Sequence, residues 1–245
     1  YIDNTLLQDM VKKLNITAVF ESNTNLDITN ISKQYENDNE YYENVYDLTG
    51  IAIPAYFEYI KTKKMEINIK NVTPVSARNI LKIANEWNYH NSGYMFKLKQ
   101  ITSYDWLSEE TLDNCIKNMA KLRIKKTSFF EKELLYQHNM LNKTIIVSGR
   151  ADCISVTPKM IKIYEFKVAK VISPEYYLQT AFYMYIASFL FLVKKIKGFL
   201  YNIYNDNLYE IAFDKNTIEI LFNQLVNYKI IHKNKKHVLT WYRDM

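Results

Sequence analysis

The spacing of apolar residues divides the chain into a mainly helical part and a part rich in strands. In the first part, apolar positions recur at helical intervals over residues 75–89 and 107–123, and Ser108 is suited to cap the second of these helices. Residues 4–20 fit a short helix followed by a strand. We therefore expect a mainly helical N-terminal accessory region over residues 1–100.

Residues 21–47 interrupt this pattern. The segment is acidic and rich in Asn, and it lacks long apolar periodicity, which predicts a loop or a partly disordered linker. The apolar stretch that follows contains Pro54, which would interrupt any long strand there.

The pattern changes to strands at about Thr127. Apolar and β-branched residues fill three short segments separated by turn-forming residues, which predicts an antiparallel meander. The expected strands cover residues 128–137, 144–156 and 160–169.

A helix should follow the meander, since Ser173 and Pro174 form a typical helix start. Two more strands and a last helix capped by Asp214 complete the order β-β-β-α-β-β-α. This order predicts an α+β fold, with a mixed sheet flanked by helices, over a second domain at residues 101–245. The apolar run at 178–193 is shorter than the ~20 residues of a membrane span, so we expect a buried core helix and no membrane partner.

Composition narrows the range of functions. The net charge of +6 permits an anionic partner but predicts one only weakly. The two cysteines, Cys115 and Cys153, are too few for a disulfide framework and for an iron–sulfur cluster, which needs about four thiolates. An intracellular setting fits this usage best. The chain lacks an N-terminal secretory signal and begins at Tyr1, which favours either a fragment of a larger protein or a processed chain.

Three charged residues stand out in the predicted meander. Glu165 and Lys167 are two apart on one strand and so share a face, and the previous strand places Asp152 close to Glu165. Two carboxylates held together repel each other, and a hard divalent cation relieves that repulsion. Each residue alone has an ordinary structural explanation, as a strand-end cap or an exposed charge pair.

Two polar residues follow on the next helix. Gln179 and Tyr183 are four apart, on one face of a helix that is otherwise apolar. That helix could lie against the sheet and direct both groups to the same site. Taken singly, they are equally typical of hydrogen-bonded polar groups in a core.

The joint pattern resembles a known family. Gly149-x-x-Asp152, Glu165-x-Lys167 and Gln179-x-x-x-Tyr183 are similar to the motif series of the PD-(D/E)XK nucleases, above all the RecB-like exonuclease branch. The resemblance covers about residues 127–230 and implies a restriction-endonuclease-like core. It also implies hydrolysis of DNA phosphodiester bonds with Mg²⁺ or Mn²⁺, at DNA ends or on single strands, with a helicase domain or subunit as a further partner.

The resemblance assigns a role to each motif residue. Asp152 and Glu165 would bind the metal together with the carbonyl of Phe166, and Lys167 would be the catalytic lysine. Gln179 and Tyr183 would contact DNA or support the site.

Further residues are candidates beside these motifs. An additional metal ligand could come from His90 or from an acid on the first strand, where Glu133 is favoured over Glu131. Candidates for contact with DNA phosphates are Arg150, Lys194 and Lys195. The sequence does not decide between exonuclease and endonuclease action, or between DNA and RNA as the substrate. Two other functions also stay open: an inactive nucleic-acid-binding module with the same fold, and a protein-interaction domain.

Overall fold

The computed structural model describes residues 4–22, 25–26, 31–36, 39–93, 98–99, 101–140, 143–191 and 195–231. In this part of the chain none of the helices is long and apolar enough to cross a membrane. The helices are α1 (Asn4–Val11), α2 (Tyr46–Thr62), α3 (Ala77–Ser92), α4 (Glu109–Ala120), α5 (Pro174–Leu190) and α6 (Lys215–Ile231). The strands are β1 (Ile16–Phe20), β2 (Ile31–Glu36), β3 (Asn39–Asn44), β4 (Phe129–Met140), β5 (Lys143–Val156), β6 (Ile161–Lys167), β7 (Ile196–Asn202) and β8 (Asn207–Ala212).

Six strands form one mixed sheet in the order β1-β8-β7-β6-β5-β4. β6 and β7 run parallel, and their neighbours pair antiparallel. Parallel neighbours need a crossover, which α5 provides between β6 and β7. The predicted fold class, an α+β fold with a mixed sheet flanked by helices, is therefore confirmed.

The sheet has a core on each face. Residues of α1, α5 and α6 pack on one face with Ile161 and Ile163 of β6. Residues of α2, α3 and α4 pack on the other face with Tyr164 and Phe166 of the same strand. Because side chains alternate along a strand, Glu165 points to the α5 face.

The N-terminal segment contributes to this sheet. β1 pairs antiparallel with β8, with Ile16 opposite Ile211, and Leu7 and Met10 of α1 are buried in the same core as α5. Packing contacts therefore cross residue 100, and the division into two domains at that point stays a prediction.

The predicted loop at 21–47 is wrong for its second half. Residues 31–36 and 39–44 form an antiparallel hairpin, in which Ile31 pairs with Asn44. Tyrosines at 35, 41 and 42 favour strands and outweigh the polar composition. Residues 23–24, 27–30 and 37–38 lie outside the described part of the chain.

The apolar stretch around Pro54 is helical. α2 runs from residue 46 to residue 62 with the buried Pro54 inside it and ends at Lys63, which has a left-handed backbone conformation. The apolar content of the segment, rather than the proline, therefore determines its structure.

Candidate metal centre

Asp152 lies where β5 separates from β6. Regular pairing between these strands covers residues from Val156, opposite Ile161, to Cys153, opposite Tyr164. At the next position, Oδ2 of Asp152 accepts a hydrogen bond of 2.6 Å from the backbone N–H of Phe166. A side-chain carboxylate thus takes the place of a backbone carbonyl in the sheet.

The regular alternation of β5 side chains between the two faces of the sheet is interrupted at Asp152. Ala151 is buried in the core on the α5 face, whereas Cys153, two residues later, is buried in the opposite core. On β4, Glu131 lies between the residues paired with these two and has a φ of 45°. Positive φ is uncommon outside glycine and concentrates at functional sites. The irregularity places Glu131 beside Asp152.

Glu165 and Lys167 form an ion pair on the α5 face of β6. Nζ of Lys167 donates to Oε1 of Glu165 over 2.8 Å, and the Glu165 side chain is fully buried. Oε2 of Glu165 is also buried and has no hydrogen-bond partner in the described part of the chain. The ammonium of Lys167 lies 4.7 Å from the centre of the Tyr176 ring of α5. Lys167 therefore has a defined position, while one oxygen of Glu165 remains available to a ligand.

The backbone after Lys167 is held by β7 and the turn that follows it. Ile203 N–H donates to the carbonyl of Lys167 over 2.7 Å. The buried Asn202 side chain donates to the carbonyl of Ala169 and accepts from its N–H. These bonds fix the direction in which the chain leaves β6.

Burial and mutual repulsion dominate the electrostatics of the acids. Burial, followed by repulsion from Asp152, raises the pKa of Glu165 to about 8. Burial also raises the pKa of Asp152, and burial together with the charges of Asp152 and Glu165 raises that of Glu131. For Lys167, burial alone would lower the pKa, but Glu165 and Asp152 outweigh it and raise the pKa. The site therefore favours a protonated lysine and has more carboxylates than this single ammonium can neutralise.

The arrangement fits a hard divalent cation. The donors are Asp152, the buried Oε2 of Glu165 and the carbonyl of Phe166. This carbonyl points to the same side of β6 as its N–H, which bonds to Asp152. Oxygen-only donors suit Mg²⁺ and Mn²⁺. Over the described residues, no group of three or more His, Cys, Asp and Glu side chains is placed to hold a metal.

The two additional predicted ligands both have exposed side chains. His90 is exposed in the last turn of α3, with its ring 5.3 Å from that of Tyr89. Glu133 is exposed on β4, opposite Arg150. The acid of β4 whose charge interacts with Asp152 and Glu165 is Glu131. The preference for Glu133 is therefore not supported.

Gln179 and Tyr183 are buried partners on α5. Nε2 of Gln179 donates to the Tyr183 hydroxyl over 3.0 Å. The Tyr183 ring packs so closely on Gly149 that an added Cβ would lie 2.4 Å from Cε1. Both side chains line a small cavity of about 20 Å³, roughly the space of one water. Their burial favours supporting the site over direct contact with DNA.

The predicted phosphate contacts differ in their surroundings. Arg150 has its guanidinium 5.4 Å from the centre of the Trp87 ring of α3, and its charge lowers the pKa of Glu131. Lys195 is exposed just before β7. Lys194 lies outside the described residues.

Sequence reasoning missed Glu58 on α2. This residue is buried, and its Oε2 accepts from Glu66 N–H over 3.0 Å. Burial raises its pKa to about 7, and its charge in turn raises the pKa of Glu131. A single acid within the apolar segment "AYFEYI" was the available signal.

Comparisons with known proteins leave the family open. No protein-family profile matches the sequence, and no curated protein matches it. A solved structure described as "Crystal structure of SSO0001" is 14% identical over 74% of this chain and 88% of that chain, with a TM-score of 0.36. A likeness this low supports no conclusion about function.

Proposed function

We propose that this protein is a metal-dependent nuclease that hydrolyses phosphodiester bonds of DNA. The observation that carries the proposal is the grouping of Asp152, Glu165 and Lys167 where β5 and β6 separate. Asp152 bonds to the backbone beside Glu165, and Glu165 bonds to Lys167 through one oxygen while its other oxygen lacks a partner. A buried glutamate beside a partly buried aspartate and a partly buried lysine suits chemistry on a phosphodiester anion.

The residues of the chain have distinct tasks in this proposal. Asp152, Glu165 and the Phe166 carbonyl would hold Mg²⁺ or Mn²⁺. A bound divalent cation would activate the attacking water and stabilise charge on the leaving oxygen. Lys167 keeps its proton, because the nearby acids raise its pKa. It therefore supplies a fixed positive charge and hydrogen-bond donor for the phosphate.

The resemblance in the motifs extends the proposal to the substrate and a partner. It favours an exonuclease that acts on DNA ends or single strands, as part of a larger helicase–nuclease.

The test is DNA degradation by the purified protein in the presence of Mg²⁺ or Mn²⁺. Labelled single-stranded and duplex DNA would be incubated with wild type, Asp152→Asn and Lys167→Ala, with EDTA as a control. We expect each substitution to reduce the rate about 100-fold or more, as for loss of an electrostatic group in other active sites. Lys162→Ala is the matched control, since Lys162 lies on β6 with its ammonium against the Phe199 ring of the opposite face.

Two outcomes would contradict the proposal. A wild type that leaves all DNA forms intact with either metal would exclude the nuclease. If that protein still binds DNA, the inactive nucleic-acid-binding module is the better description.

A further inference from the structure

Arg150 and Trp87 form a contact that the proposed chemistry does not use. The guanidinium lies 5.4 Å from the centre of the indole ring. Trp87 is half-buried on α3 and packs against the core of the α2–α4 face. The ring therefore has a fixed position, and it joins a helix of the N-terminal region to a strand that carries an acid of the metal centre.

Arg150 approaches the acids from the face opposite to Lys167. It lies two residues before Asp152 on β5 and opposite Glu133 of β4. Its charge acts on Glu131, whereas Lys167 bonds to Glu165 on the α5 face. The acids thus have a cation on each side of the sheet, and each cation lies over an aromatic ring.

We propose that Trp87 is a positioning residue that holds the Arg150 guanidinium as a contact for one phosphate of the bound DNA strand. The DNA strand then reaches the metal centre along the side of the β4–β5 pair that faces α3. This inference rests on the proposed nuclease function, and it assigns part of the DNA site to α3.

The chemistry of arginine supports this role. A guanidinium stacked on an aromatic face keeps its charge, and its N–H groups lie in the plane of the group, where they can bind phosphate oxygens in pairs. The ring also limits the conformations of a long side chain, so less entropy is lost when the phosphate binds. A lysine ammonium has neither the planar fork nor the stacking geometry.

The test measures binding of a fluorescein-labelled single-stranded oligonucleotide at several salt concentrations, with Ca²⁺ in place of Mg²⁺. We expect Arg150→Ala to weaken binding about 10-fold and to reduce the salt slope by about 0.7, the value for one phosphate contact on a single strand. Trp87→Leu removes no charge, yet it should weaken binding about 5-fold and reduce the slope by a similar amount.

Four further variants separate positioning from general effects. Trp87→Phe keeps an aromatic face and should retain most of the affinity, whereas Arg150→Lys keeps the charge and should behave like Arg150→Ala. Arg78→Ala removes an exposed charge from the same helix and should leave the affinity within about twofold. The double variant of Trp87 and Arg150 should bind no more weakly than Arg150→Ala alone.

The outcomes are distinguishable. An unchanged salt slope in Trp87→Leu, or additive effects in the double variant, would overturn the inference, and so would a wild type without DNA binding. Two results would overturn the inference even if Trp87→Leu does not fold. One is wild-type affinity in Arg150→Lys, and the other is a loss of affinity in Trp87→Phe as large as that in Arg150→Ala. If the predicted binding pattern is found without cleavage by the wild type, the inference stands and the nuclease proposal fails.

Discussion

The two halves of β6 have different surroundings. The first half, residues 161–164, pairs with β5 on one side and β7 on the other, and Ile161, Ile163 and Tyr164 are buried in apolar cores. The second half keeps its pairing with β7, but Asp152 contacts it through a side chain instead of a backbone carbonyl. We call residues 161–164 the closed half and residues 165–167 the open half of β6. The sheet accommodates charged side chains in the open half, where backbone pairing with β5 ends, and the fully paired closed half fixes their positions.

The strongest test of this difference is Asp152→Asn. The amide is similar in size, so the fold should persist, but an oxygen of the proposed metal centre and its charge are lost. We expect DNA cleavage to fall about 1,000-fold, while the midpoint of urea unfolding changes little. Equal activity in the two proteins would show that the open half has no catalytic role.

Ile163→Ala tests the closed half. Ile163 is fully buried, and truncation of a buried isoleucine leaves a cavity that costs about 3 kcal/mol in free energy of unfolding. Urea unfolding would measure the loss, and the cleavage rate of the folded fraction should stay within about threefold. A large fall in that rate with unchanged stability would contradict the division of roles.

Gly149→Ala tests how closely α5 is fitted to β5 before the strands separate. The added methyl group would meet Cε1 of Tyr183 at 2.4 Å, which forces the ring or the helix to move. We expect a loss of about 2 kcal/mol in the free energy of unfolding. Adding Tyr183→Leu to this substitution should recover part of that loss, and an unchanged stability in the single variant would show that the contact is loose.

Glu58→Gln serves as a comparison for Glu165→Gln, because Glu58 is a buried acid that lies on α2 and not on β6. The pKa of Glu58 is raised to about 7 by burial, above its value in the unfolded chain. The stabilising effect of the bound proton is complete below about pH 4.5 and is lost as the pH rises through about 7. From pH 5 to pH 8.5, the variant should therefore gain about 1 kcal/mol of stability relative to wild type.

Urea unfolding at the two pH values measures this difference. The same comparison for Glu165→Gln should depend on added Mg²⁺, because a metal bound at the proposed centre would stabilise the ionised wild-type carboxylate. If the stability difference between Glu58→Gln and wild type also depends on Mg²⁺, the metal centre would include Glu58 of α2.

Local patterns predicted most of the sheet and the central acids. The strands of the meander follow from alternating apolar residues, and short connections bring Asp152 and Glu165 together. The ends of α3 and α4 lie within a few residues of their predicted positions, and Ser108 is the N-cap of α4 as predicted. The next helix, α5, begins after Ser173 as predicted.

Each difference from the predictions has its own physical cause. The charge of Glu58 on α2 acts on Glu131 of β4 through tertiary packing, which no local spacing encodes. Glu131, rather than the favoured Glu133, interacts with Asp152 and Glu165, and its positive φ is not evident from the residue type. The addition of β1 to β8 joins segments almost two hundred positions apart, and long-range pairing of this kind leaves no local signal.

The hydrogen bond between Asp152 and the Phe166 amide also provides a spectroscopic reporter. This amide proton points at a carboxylate oxygen whose charge depends on protonation and on a bound cation. In an NMR spectrum, the chemical shift of this one backbone resonance should follow the occupancy of the centre during a titration with Mg²⁺. The wild-type sequence thus contains a probe of the proposed metal binding that requires no label at the site.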